Sequence, residues 1–187
     1  MTNKTTFFAE YWAEIHDLLQ KESSSKLNDL ALSIINCYQR GGKTILVGNG
    51  GSAAVASHAA VDLVKAANIR AICFNESSFL TCLANDFGYQ KWVEKALEFY
   101  ADSSDLVVLI SSSGQSENIL NAARYCKTQN IQLVTFSGFE SANPLRSFGN
   151  LAFWADSKDY NHVETVHQTW LLATIDFIIL ARRDGTI

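Results

Sequence analysis

The sequence predicts an α/β fold: a single doubly wound, mostly parallel five-stranded sheet flanked by helices and preceded by a helical hairpin. Three observations lead there. Five short runs, at 44–48, 70–74, 105–111, 131–136 and 150–155, are apolar on both faces, the pattern of strands covered by helices on each side. Helical patterns separate most of them, as parallel crossovers require. Ahead of the first strand, two stretches repeat their apolar residues at helical spacing.

Residues 7–21 carry Phe8, Trp12, Ile15 and Leu19 at three- or four-residue steps, and residues 24–40 repeat the stripe more loosely with Leu27, Leu30, Ile34 and Ile35. Ser23, Ser24 and Ser25 supply the cap signal between these helices, and Gly41 with Gly42 ends the second. The period then changes to that of strands at TILVG (44–48). A helix follows over 52–67, then RAICF (70–74) and a further helical region over 78–100 broken near Gly88. DLVVLIS (105–111) leads into a helix over 116–129, and IQLVTF (131–136) and NLAFWA (150–155) precede a last helix over 162–182. Pro144, the single proline, marks a turn in GFESANPLRS. With no internal repeat, low-complexity tract or linker, residues 1–187 read as one domain, residues 1–42 forming its N-terminal helices.

Composition narrows the function classes. The 187 residues are 48% apolar, enough for one buried core. The formal charge is −4, from 15 basic and 19 acidic residues without a basic block, which argues against direct nucleic-acid binding. Cys37, Cys73, Cys82 and Cys126 are scattered among apolar neighbours without a CxxC pair, and most of them read as core thiols in a reducing compartment. Glu10, Glu14 and Asp17 interrupt the N-terminal stretch, which reads as neither signal peptide nor anchor; a cytoplasmic location is expected. The segment TWLLATIDFIILA (169–181) is too short to span a bilayer and contains Asp176. An almost wholly apolar helix of this kind suits a core and a contact with another subunit, so an oligomer and no membrane contact are expected.

Two strand-to-helix turns carry polar chemistry. After 44–48 the chain reads GNGGSAAVASH. A dinucleotide fingerprint would need a third glycine where Ala53 stands and an acidic residue sooner than Glu76, and a phosphate-loop lysine is absent, so no nucleotide cofactor is expected. Asn49, Gly50, Gly51 and Ser52 still suit close approach to a ligand, with Ser52 capping the next helix, although the same residues suit a purely structural turn. After 105–110 the chain opens into SSSGQSENIL. Ser111, Ser112, Ser113 and Ser116 cluster around Gly114 at a helix start, where hydroxyls and free amides can hold a phosphate monoester without any cation. The alternative there is a serine-rich loop with Ser116 as an ordinary cap.

These residues resemble the sugar isomerase (SIS) domain family, and within it the phosphoheptose isomerases. GNGGSAAVASH (48–58), LTCLANDFGYQ (80–90), SSSGQSENIL (111–120) and VETVH (163–167) fall in the family's order, and the likeness covers nearly the whole chain. It implies a homotetramer with active sites between subunits and the N-terminal helices used in packing. It also implies interconversion of sedoheptulose 7-phosphate and D-glycero-D-manno-heptose 7-phosphate through an enediolate. The phosphate would sit on Ser111, Ser112, Ser113 and Ser116, with Asn49, Gly50, Gly51, Ser52 and Asp86 along the sugar. Zinc, one per subunit, would be held by His58, Asp62 and Glu164, and Asp62, Glu164 and His167 are the acid/base candidates. Carboxylates and imidazole suit zinc, and i,i+4 spacing places His58 and Asp62 on one helix face.

The chain departs from the family's pattern at three places: Asp62 stands for glutamate, Glu164 for glutamine, and Leu172 for a histidine. Leucine neither ligates metal nor moves a proton. His167 and Gln168, three and four residues after Glu164, are the possible substitutes. Leu172 also motivates a second expectation: a catalytically impaired sugar-phosphate sensor or protein-interaction adaptor, including a type that binds a replication initiator.

Overall fold

Five strands in the order β2-β1-β3-β4-β5 form one sheet, every neighbouring pair parallel. They are β1 (Thr44–Gly48), β2 (Ala71–Cys73), β3 (Leu106–Ser111), β4 (Gln132–Ser137) and β5 (Leu151–Trp154). The computed structural model describes residues 5–185. Chain direction across the sheet reverses once: from β1 the chain moves outward to β2, then returns to lay β3 on the opposite side of β1. The strand ends of β1 and β3 therefore flank the switch point, where an open parallel sheet leaves a crevice for ligands.

Among the described residues, seven α-helices cover the two faces: α1 (Phe7–Gln20), α2 (Ser24–Gln39), α3 (Gly51–Lys65), α4 (Ser77–Phe87), α5 (Trp92–Tyr100), α6 (Glu117–Thr128) and α7 (Tyr160–Arg183). Leu46 of β1 and Leu106, Val108 and Ile110 of β3 point into a core shared with α1, α2, α3 and α7. Ile45, Val47, Val107 and Leu109, the alternate residues, point into a second core built with α4, α5 and α6. This two-sided burial is why the strands lack polar alternation.

At the end of the sheet away from the crevice, Asp105 is 1% exposed and accepts from Lys43 N (2.8 Å), Asp102 N (2.8 Å) and Lys43 Nζ (2.6 Å). A buried carboxylate so satisfied pins the start of β1 to that of β3 and thereby the register that aligns Gly48 with Ile110.

Several expectations needed adjustment. The run 70–74 contributes only a three-residue edge strand, because β2 pairs on one side alone. Helix α3 begins at Gly51 with Gly50 as its cap, so Ser52 lies inside the first turn instead of capping it. Pro144 opens a short 3-10 helix (Pro144–Ser147). In α1, Ile15 and Leu18 are buried while Phe8 and Trp12 are 67% and 61% exposed, so half of the expected stripe faces away from this chain's core. Cys37 and Cys126 are buried, Cys73 is half-buried and Cys82 is exposed. Among the described residues, no helix is long and apolar enough to cross a membrane.

Candidate functional site

The glycine turn after β1 and the serine turn after β3 meet at the switch point and, with the start of α7, enclose a pocket of about 360 Å³. Asn49, Gly50, Gly51 and Ser52 form one wall; Ser111, Ser112, Ser113 and Ser116 form another; Tyr160 and Glu164 close the third. Glycine is needed at two of these bends. Gly50 has φ +56° and Gly114 φ +65°, a region that side-chain-bearing residues rarely enter. A β-carbon at Gly114 would also overlap Asn143, and one at Gly48 would run into the backbone of Ser52.

Hydroxyls line the floor. Ser52, Ser111 and Ser112 are 3–4% exposed, with Ser52 Oγ 3.4 Å from Ser112 Oγ and Ser111 Oγ donating to Ser116 Oγ at 3.2 Å. Gln115 N donates to Ser113 Oγ at 3.2 Å. Ser116 occupies the cap position of α6, yet its side chain makes no cap bond, so it does not close off that helix's first-turn donors. Asn49 is held from behind. It exchanges amide hydrogen bonds with buried Asn118 of α6 at 3.0 and 2.9 Å, and Tyr89 donates to its Oδ1 at 3.0 Å.

Glu164 reaches the pocket from the first turns of α7, a helix capped by Asp159, whose carboxylate accepts from Asn161 N and His162 N. Ser112 Oγ donates weakly to Glu164 Oε1 at 3.5 Å, and the Ser52 backbone amide lies where it favours the charged carboxylate. Burial raises its pKa above the ordinary carboxylate value, with those two donors opposing the shift. Among the described residues it is the only carboxylate in the lining.

The other candidates lie elsewhere. His58 and Asp62 pair across one turn of α3 (Nε2 to Oδ2, 3.3 Å), and His58 Nδ1 is 3.1 Å from Gln168 Nε2, outside the pocket lining. Asp86 is exposed on α4, bonded to Asn85 and Cys82, also outside the lining. His167 is fully buried beneath β4: its Nε2 lies 2.9 Å from Ser137 O, and the ring packs edge-on to Phe136. The partner is a carbonyl oxygen, so Nε2 carries the proton, and burial lowers the imidazole pKa to about 4. His167 is thus a neutral core histidine, not a pocket residue, because a three-residue step from Glu164 turns it toward the sheet. Leu172 packs, partly buried, against the same core.

The zinc donors come together only in part. His58 and Asp62 are adjacent, while Glu164 is turned to Ser52 and Ser112. Among the described residues, no group of three or more His, Cys, Asp or Glu side chains is gathered for a metal ion. Sequence reasoning overlooked Tyr160, although its position four residues before Glu164 put it on the same helix face. Asn118 and Tyr89 carried no comparable signal, since they reach Asn49 across long stretches of chain.

Comparison with known proteins places this arrangement. The SIS domain family model matches residues 7–138. The chain is 31% identical over 155 residues to a phosphoheptose isomerase of Thermodesulfovibrio yellowstonii, covering 80% of this chain and 77% of that protein. It is 32% identical over 151 residues to phosphoheptose isomerase 2 of Campylobacter jejuni, covering 74% of each. Among solved structures, the fold resembles a phosphoheptose isomerase of Neisseria gonorrhoeae with a TM-score of 0.85 at 22% identity, over 93% of this chain and 98% of that one.

Proposed function

The chain belongs to the SIS domain family, within its phosphoheptose isomerase subgroup, and on that footing we propose that it interconverts sedoheptulose 7-phosphate and D-glycero-D-manno-heptose 7-phosphate through an enediolate. The observation that carries the chemistry is the sharing of one pocket by a serine-lined helix start and the Glu164 carboxylate.

The phosphate sits at the start of α6, where Ser111, Ser113 and Ser116 supply hydroxyls and the helix end adds a favourable field. Holding it there orients the other end of the sugar toward α3. Glu164, made more basic by burial, takes a proton from the carbon beside the carbonyl and returns it to the former carbonyl carbon, while the hydroxyl proton of the deprotonated carbon passes to the former carbonyl oxygen through the Ser52 and Ser112 hydroxyls. Ser52 and Ser112 donate to the oxygen on which negative charge develops. Every step uses groups of this chain.

Zinc binding, which the family likeness implies, would require Glu164 to exchange Ser52 and Ser112 for the ion. Metal content after purification with zinc, with His58→Ala beside wild type, tests it. A homotetramer, with the exposed Phe8 and Trp12 of α1 covered by another copy, and a cytoplasmic location complete the proposal. Leu172 favours one alternative, a sensor or adaptor that binds the sugar phosphate without converting it. An assay for conversion of sedoheptulose 7-phosphate separates them: turnover supports the isomerase, and binding without turnover supports the sensor.

A further inference from the structure

Two helix starts face the same pocket, and they differ in what fills them. At α6 the cap residue Ser116 makes no side-chain cap bond. At α3 the Glu164 carboxylate lies so close over Gly51 that a β-carbon there would overlap it. Glu164 thus stands over the start of α3, whereas the first-turn carboxylate of α6, Glu117, is exposed, paired with Arg124 at 2.8 Å and outside the pocket lining. Among the described residues of one chain, no lysine, arginine or histidine lines the pocket, and Glu164 carries the formal charge in its walls.

We propose that Glu164 makes this a single-anion site, one that admits neutral sugars bearing one phosphate and rejects sugar phosphates with a second anionic group at the opposite end. The inference rests on the sugar-phosphate reading above and adds the class of ligand the pocket turns away. A second phosphate or a carboxylate reaching α3 would lie beside Glu164 in a partly enclosed space, where like charges repel more strongly than in water. It would also find the space over Gly51 already filled by the carboxylate. A hydroxyl in the same place can donate to the carboxylate instead. Selectivity then comes from a repulsive element built into the wall, not from extra contacts with the preferred ligand.

The test is isothermal titration of the full chain with sedoheptulose 7-phosphate and sedoheptulose 1,7-bisphosphate, in wild type and Glu164→Gln. Wild type should bind the monophosphate at least about tenfold more tightly than the bisphosphate. In Glu164→Gln that gap should shrink to within about threefold through a gain in bisphosphate affinity, the monophosphate affinity changing little. Glu164→Met serves as a second uncharged variant, with circular dichroism checking that each folds. Equal binding of the two ligands to wild type, or a gap that persists in both variants, overturns the inference while leaving the sugar-phosphate reading intact. Failure of wild type to bind either ligand removes that reading and the inference with it.

Discussion

Glu164 and His167 sit one helical turn apart on α7 and meet opposite fates, one carboxylate at a polar pocket and one imidazole sealed in the core. Replacing Glu164 by glutamine keeps the shape and removes the base, so kcat should fall by about 10²–10⁴-fold, with KM far less affected. In the proposed mechanism the free carboxylate is the working form, and burial raises its pKa, so kcat/KM should fall as pH drops through a value above the ordinary ~4.3 of a glutamate. A pH profile of wild type beside the residual activity of Glu164→Gln checks this: the limb should vanish in the variant. For His167 the folded pKa is depressed from 6.5 to about 4, so its contribution to stability is present above pH 6.5 and is lost as pH falls toward 4. The full effect is about 3 kcal/mol. Urea denaturation between pH 7 and 4 should show that loss in wild type and a flatter dependence in His167→Gln, whose amide can still donate to Ser137 O.

At the scale of elements, α3 and α6 start side by side because their parent strands β1 and β3 are neighbours. The Gly51 position couples this arrangement to the chemistry. In Gly51→Ala the new methyl group would displace the flexible end of Glu164 without pressing on the backbone, so stability should change by less than about 1 kcal/mol while kcat falls about as far as in Glu164→Gln. Thermal melts and steady-state assays on one preparation check both halves.

The alternation of strand and helix was legible in the sequence, since each central strand is apolar on both faces. So were the two polar turns, because glycines and serines cluster just where two strand runs give way to helical patterns, although those residues alone suited a structural turn as well as a ligand site. What the sequence left open depends on contacts between distant segments. That Glu164 lies over Gly51, that His167 turns under β4, and that Asn118 and Tyr89 brace Asn49 follow from how α7, α6 and the loop after α4 pack, which no local pattern encodes. Ser52 illustrates the boundary case: its place in the turn was evident, but the cap role went to Gly50.

The whole molecule places its one topological reversal where its polar turns meet, and leaves apolar side chains exposed elsewhere. Phe8 and Trp12 on α1, with Phe177 and Leu180 on α7 at 47% and 55% exposure, are more than a solvated surface calls for. The proposed homotetramer covers them. Sedimentation velocity should give a four-chain mass for wild type and smaller species for Phe8→Glu/Trp12→Glu; a monomeric wild type would remove that proposal.

The claim on which the rest depends is that Glu164 moves the carbon-bound proton of a sugar whose phosphate is held at α6. Proton NMR of sedoheptulose 7-phosphate incubated with enzyme in D2O reads that event directly. Wild type should exchange the proton beside the carbonyl for deuterium and form the aldose, and Glu164→Gln should bind the sugar yet leave its protons in place. Exchange at the wild-type rate in Glu164→Gln would contradict the assignment.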